Sequence, residues 1–171
     1  TRENSSHGNN NSGVTFPRHV AFICDGNSRW AQHRNLPTLM GHYHGADRLV
    51  ELIQHFANQI PQNDKNNKNN TTAVQYVTLY GFSTENWNRP MEEIQGIFNV
   101  MEQTCRRMLQ ERRRQDDDDN NNNNNNIKIR ILGDLDDPRI PSSLRTVLRD
   151  LEEQSTSSDK DESCASLTVC L

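Results

Sequence analysis

The sequence predicts an α/β domain, a parallel sheet flanked by helices. Short apolar, β-leaning runs alternate with segments of helical periodicity in the order strand, helix, strand, helix, strand, helix, strand, the pattern of a parallel sheet joined by right-handed crossovers. The 32% hydrophobic content is low for a globular domain, but the deficit falls in Asn/Asp/Lys tracts, so the rest can still build a core. A length of 171 residues fits one domain or part of a larger one.

Residues 1–17 form a polar leader expected to be disordered and without an apolar signal core. RHVAFIC at 18–24 reads as a buried strand. Over 41–60, Ala46, Leu49, Val50, Ile53, Phe56, Ala57 and Ile60 recur at helical spacing until Pro61 ends the run. A polar insert (61–72) leads to a second strand, VQYVTLY at 74–80, mostly apolar on both faces. Residues 90–110 open Pro-Met-Glu-Glu, a proline and two acids suited to a helix start. Ile94, Ile97, Phe98, Met101, Cys105 and Met108 make that helix's apolar face. The tract at 111–126, four aspartates followed by seven asparagines after a basic run, cannot bury enough surface to order itself and reads as a solvated spacer. IKIRIL at 127–132 alternates as a third strand, 138–153 carries Leu144, Val147, Leu148 and Leu151 as a third helix, and a polar linker (154–166) precedes a fourth strand, LTVCL at 167–171.

A net charge of −4 argues against a nucleic-acid binder. No run of 18 apolar residues is present to span a membrane. The four cysteines sit at unrelated spacings and read as reduced thiols of an intracellular protein.

Open parallel sheets bind ligands beyond the carboxyl ends of their strands. Three such ends are DGNSRW (25–30), GFSTENWNR (81–89) and Gly133-Asp134; the fourth strand has no loop after it, so a piece of the site is expected to be missing. At the first end, Gly26 lets backbone approach a ligand, amides can form an anion-binding concavity, and Arg29 can fork onto phosphate. Asp25 would repel that phosphate unless a cation lay between them, and Mg²⁺ takes one or two carboxylates and completes its shell with phosphate oxygens. A plain Asp-Gly turn is the simpler alternative for this stretch by itself. The second end adds Ser83, Asn86 and Arg89 with Phe82 and Trp87, a mixture suited to a charged head and an apolar tail. Gly41-His42 is expected to open the first helix, where His42 could meet an anion.

Taken together, HVAFICDGNSRWA (19–31), GHYHGADRL (41–49), YVTLYGFSTENWNRP with EEI (76–94), IRILGDL (129–135) and LTVCL (167–171) resemble the cis-prenyltransferases, the undecaprenyl and dehydrodolichyl diphosphate synthases, in the family's order. The resemblance implies an undecaprenyl diphosphate synthase-like fold. It also implies Mg²⁺-dependent, repeated condensation of isopentenyl diphosphate onto an allylic diphosphate, commonly farnesyl diphosphate, with each new double bond cis. On that resemblance, Asp25 matches the metal-binding aspartate and counts as catalytic with Asn27, placed near the proton-loss step, and Asn86. Gly26, Ser28 and Arg29 match the diphosphate-binding loop, with Trp30 beside it packing the following helix. His42 lies near the allylic diphosphate, Phe82 and Ser83 near the reacting tails, and Trp87 and Arg89 in a loop that closes on substrates. Leu49, Ile53, Ile97 and Met101 line either a product tunnel or ordinary core.

Thr38 stands where many members carry a phosphate-binding arginine. The family's later Asn-Tyr-Gly-Gly segment, arginine-rich motif for isopentenyl diphosphate and further metal-site acid are absent, so residues 18–171 are expected to be the N-terminal part of such a domain, or an incomplete gene model, and inactive or nearly so by themselves. The family also implies a homo- or heterodimer, peripheral membrane association, and a place at the endoplasmic reticulum membrane or in plastids. A non-catalytic partner subunit would lack the aspartate motif kept here. A simple prenyl-diphosphate-binding module would leave the second motif unexplained.

Overall fold

In a computed structural model, residues 17–59, 74–116, 127–156 and 166–170 are described. The leader up to residue 16, the insert at 61–72, residues 117–126 and residues 157–165 lie outside them. The elements are β1 (His19–Ile23), α1 (Asn27–Gln32), α2 (Thr38–Gln59), β2 (Tyr76–Tyr80), a 3₁₀ turn (Thr84–Asn88), α3 (Met91–Asp116), β3 (Lys128–Leu132), α4 (Ser142–Thr156) and β4 (Ser166–Cys170).

All four strands run parallel, in the order β1-β2-β4-β3. In register, Ile23 sits beside Tyr80, Tyr80 beside Cys170, and Cys170 beside Leu132. The carboxyl ends of all four strands therefore share one edge, as the sequence pattern requires.

One face of the sheet holds the core. Val77, Leu79 and Ile129 pack with Ile53 of α2, Leu109 of α3, and Val147 and Leu151 of α4. A second cluster continues it toward the carboxyl edge through Phe82, Ile94, Ile97, Phe98, Ile140, Leu144 and Leu148. Leu49 packs on the first cluster and Met101 on the second. All three long helices thus cover the same face. The steps β1→β2 and β2→β3 cross the sheet one way and β3→β4 steps back, so crossovers on one face cannot all share a hand. The expectation of uniform right-handed crossovers fails for this reason. On the opposite face Ile23 is 80% exposed, Leu132 55% and Tyr80 45%; no described helix covers it, although parallel sheets are ordinarily buried on both sides.

Several element boundaries differ from those the sequence predicts. DGNSRW does not stay a loop: from Asn27 it winds into α1, too short for periodicity to reveal. α2 starts at Thr38, after Pro37 has set the entry angle, so His42 lies a full turn inside rather than at the helix start. α3 runs on to Asp116, taking residues 111–116 from the expected spacer, because Glu, Arg and Gln are good helix formers even without apolar partners. α4 begins at Ser142, since turns at 134–140 occupy the expected first turn. It ends at Thr156, and β4 starts at Ser166, so the linker between them is shorter than 154–166.

Cys24 and Cys105 are free thiols. Burial, then the charge of Glu102, pushes the Cys105 thiol up to about 12, which keeps it protonated and inert. Cys164 and the Cys170 side chain lie outside the described residues.

β3 is an edge strand whose outward amides are met by α4. The Ile129 N–H donates to Ser155 Oγ at 2.9 Å, and the Ile131 N–H donates to Glu152 Oε1 at 3.2 Å. Ser155 is 4% exposed. Ser155→Ala leaves a buried amide without its acceptor and is expected to cost about 1–3 kcal/mol, read as a lower denaturant midpoint with an unchanged slope.

Candidate active site

β1 delivers Asp25 to the carboxyl edge. Gly26 follows with φ +89°, a left-handed conformation that disfavours any side chain, and caps α1. The Gly26 N–H donates to Asp25 Oδ1 at 2.5 Å, and Arg29 Nη2 donates to Asp25 Oδ2 at 2.7 Å. Both side chains of this ion pair are about 70% exposed, Arg29 71% and Asp25 72%. The pair is a carboxylate and a guanidinium satisfying each other in water at the open end of a strand.

α1 lies on α2 through two glycines. A Cβ on Gly41 would overlap the Asn27 carbonyl oxygen. One on Gly45 would collide with the Asn27 side-chain amide, 2.8 Å from Cγ and 2.9 Å from Nδ2. The GHYHG spacing therefore sets how closely Asn27 approaches α2. The motif alone does not mark these glycines as packing residues. The available signal is their spacing: two small residues one turn apart share a helix face.

Glu93 is the residue the sequence reading missed. Its place in the first turn of α3 predicts no more than an acid complementing the helix dipole. Its Oε1 instead accepts from Arg89 Nη1 at 2.7 Å, from His42 Nε2 at 3.3 Å and, at 3.5 Å, from Ser28 Oγ. One oxygen thereby joins α1, α2, α3 and the segment after β2. Burial works against its charge, but the hydrogen bonds from Arg89 and His42 prevail, and the carboxyl sits below its ordinary range. For His42, burial dominates and its pKa falls below the usual value despite the opposing pull of Glu93. A neutral imidazole facing a carboxylate must carry its proton on Nε2 to donate it.

The remaining candidates are placed differently. Asn86 Oδ1 accepts the Ser83 N–H at 2.8 Å, so both serve in a cap of the 3₁₀ turn. Phe82 is 4% exposed and packs on Phe98 and Trp87 with ring centroids 5.0 and 4.9 Å apart, inside the core. Trp30 lies between Arg34, 4.3 Å from its ring, and the His44 ring at 4.9 Å, which is packing of α1 on α2. Thr38 is exposed at the first position of α2.

Among the described residues, no three His, Cys, Asp or Glu side chains gather as a metal-holding group. Asp25 offers a single exposed carboxylate, which fits Mg²⁺ carried by a phosphate ligand rather than a cage built by the protein.

The family model for undecaprenyl diphosphate synthases matches residues 23–171, most of the chain. Isoprenyl transferases from Aquifex aeolicus and Aquifex pyrophilus are 32% and 36% identical over 142 residues, 83% of this chain and 51% of each relative. The chain thus spans about half the length of the curated relatives it matches. In fold it is similar to lavandulyl diphosphate synthase from Lavandula x intermedia, solved in complex with dimethylallyl diphosphate (TM-score 0.66, 21% identity, covering 91% of this chain and 54% of that one). It is also similar to a probable undecaprenyl diphosphate synthase from Campylobacter jejuni (TM-score 0.52, 21% identity, 90% and 52%).

Two tests bear on the site's frame. Gly45→Ala is expected to displace Asn27 and cost about 1–3 kcal/mol by overpacking, seen as a lower unfolding midpoint and a shifted Asn27 side-chain amide resonance. The lowered pKa values of Glu93 and His42 carry one sign. Each contributes stability that is full above the unfolded pKa and lost as pH falls through the folded value. Acidification from pH 7 to 4 is therefore expected to destabilise the chain, and Glu93→Gln to flatten the lower part of that profile.

Proposed function

This chain belongs to the undecaprenyl diphosphate synthase family of prenyltransferases, and on that premise we propose that it carries the allylic-diphosphate half of a cis-prenyl chain-elongation site. The reaction is the condensation of isopentenyl diphosphate onto an allylic diphosphate, farnesyl diphosphate being the expected starter, to give a longer polyprenyl diphosphate.

The exposed Asp25–Arg29 pair carries this reading. A cation and a carboxylate held 2.7 Å apart at the mouth of a sheet are poised to exchange partners: Arg29 for phosphate oxygens, Asp25 for a divalent cation. When bound, Mg²⁺ supplies charge neutralisation for the diphosphate that leaves. Asp25 would be the residue to hold it, and Gly26 keeps the backbone there free of a side chain. Arg29 forks onto the diphosphate. Arg89, held by Glu93 Oε1 through Nη1 alone, keeps further guanidinium donors at the same edge; Ser28 and His42, whose hydrogens go to that oxygen, would reach a ligand only by leaving it. Asn27, seated on Gly45, offers an amide for orienting the group that loses its proton. The complex of the lavandulyl synthase with dimethylallyl diphosphate supports the choice of ligand, since that molecule is itself an allylic diphosphate.

No described helix is long and apolar enough to cross a membrane. An apolar product favours a peripheral seat on one, at the endoplasmic reticulum or in a plastid, and a dimeric assembly goes with the family resemblance. The 171 residues by themselves are expected to bind the starter and to elongate it poorly or not at all.

The test is incorporation of radiolabelled isopentenyl diphosphate by the natural full-length protein, with Mg²⁺ and farnesyl diphosphate. Asp25→Ala is expected to lower turnover on the order of 10²–10³-fold, as for loss of one group that stabilises transition-state charge. Arg29→Ala is expected to weaken farnesyl diphosphate binding roughly 10- to 100-fold, the worth of a charged hydrogen bond. Full activity in both variants would refute the proposal.

A further inference from the structure

The 3₁₀ turn that carries Asn86 and leads to Arg89 is anchored twice. Glu93 holds its far end. The other anchor is Trp87. Phe82 and Phe98 meet its ring edge-on at 4.9 and 5.7 Å, and the Arg139 guanidinium lies over it 4.0 Å from the centroid. Arg139 belongs to none of the motifs that define the candidate site. It comes from the β3–α4 connection, across the sheet edge from β1.

Its geometry is set in advance. Arg139 Nε donates to Asp137 Oδ1 at 2.9 Å, Nη2 donates to Oδ2 at 2.5 Å, and the Arg139 backbone N–H donates to Oδ1 at 2.9 Å. Those bonds hold the Asp137 carboxyl down to about 2, so it stays charged throughout the neutral range. With its Nε–Nη2 edge committed to Asp137, the guanidinium is held so that its flat face lies on the indole, the best cation–π acceptor among side chains. Arg139 is 56% exposed, so the core does not depend on it.

We propose that Arg139, oriented by Asp137 and stacked on Trp87, is a positioning residue that latches the Thr84–Asn88 turn and couples the β3–α4 connection to the candidate site. Trp87 lies within the same short turn as Asn86 and two residues from Arg89. Release of the ring therefore frees the segment that presents both. An exposed cation–π contact of ordinary strength shifts the latched-to-released ratio roughly two- to five-fold.

The experiment uses the chain labelled with 5-fluorotryptophan. It has two tryptophans, so ¹⁹F NMR shows two resonances, assigned by Trp30→Phe. In Arg139→Gln the Trp87 resonance is expected to shift or broaden and its acrylamide quenching to rise two- to five-fold, while the Trp30 resonance and the unfolding midpoint stay nearly fixed. Arg139→Lys should fall between, keeping the charge without the planar stack. Asp137→Asn should move Trp87 in the same direction by misaligning the guanidinium. An unmoved Trp87 signal in both Arg139→Gln and Asp137→Asn would overturn the latch, as would equal movement of Trp30 and Trp87, which marks a general loss of packing. A further expectation, weaker binding of farnesyl diphosphate with Mg²⁺ in Arg139→Gln, rests on the proposed function. If the unaltered chain does not bind that ligand, the functional reading fails while the Trp87 resonance still decides the latch.

Discussion

A single carboxylate oxygen, Glu93 Oε1, ties together the elements that make up the candidate site. Ser28 from α1, His42 from α2 and Arg89 from the segment after β2 all donate to it. A half-buried charge is costly unless paired and hydrogen-bonded. Here the cost is offset by one guanidinium and two neutral donors, and the carboxyl remains ionised. The consequence is positional. Three groups from distant parts of the sequence meet because each has the same acceptor, not because any neighbours another along the chain.

That acceptor works only because α1 can come close to α2. Gly41 and Gly45 remove the two methyl groups that would hold α1 off, and Trp30 seals the contact between Arg34 and His44. Asn27 and Ser28 then take up fixed places over α2 while Asp25 and Arg29 stay in water. The arrangement separates two kinds of polar group. The buried set is satisfied internally and holds geometry. The exposed set satisfies itself with an ion pair that solvent screens and a ligand can replace at small cost.

The sheet imposes the second constraint. Its strands are parallel, so every connecting loop that leaves a carboxyl end emerges at one edge. β4 enters the middle of that edge, between β2 and β3, and the three long helices are confined to one face. The other face presents a lateral row from Ile23 through Tyr80 to Leu132. The asymmetry explains why β2 alternates sharply between buried Val77 and Leu79 and exposed Tyr76 and Tyr80, although its sequence reads as apolar on both sides.

The sequence by itself determined the element order, the parallel sheet, the apolar faces of α3 and α4, and which strand ends carry polar groups. Those follow from periodicity and composition, which are local. Asp25, Arg29 and Arg89 stood out as candidates for the same reason, unusual density of polar groups at strand ends, whereas His42 stood out through an expected helix start that the structure moves back to Thr38. What only the tertiary structure decided is which of these groups meet. Glu93 was legible as a helix-start acid but not as a shared acceptor. Phe82 packs in the core and Asn86 caps the 3₁₀ turn, contacts that no local pattern reveals. Arg139 carried no motif at all. Periodicity reports which face of an element is apolar, but not which residue from another element will be opposite it. That is set by strand order, by crossover hand and by two glycines that let one helix approach another, and each of these is a property of the assembled fold.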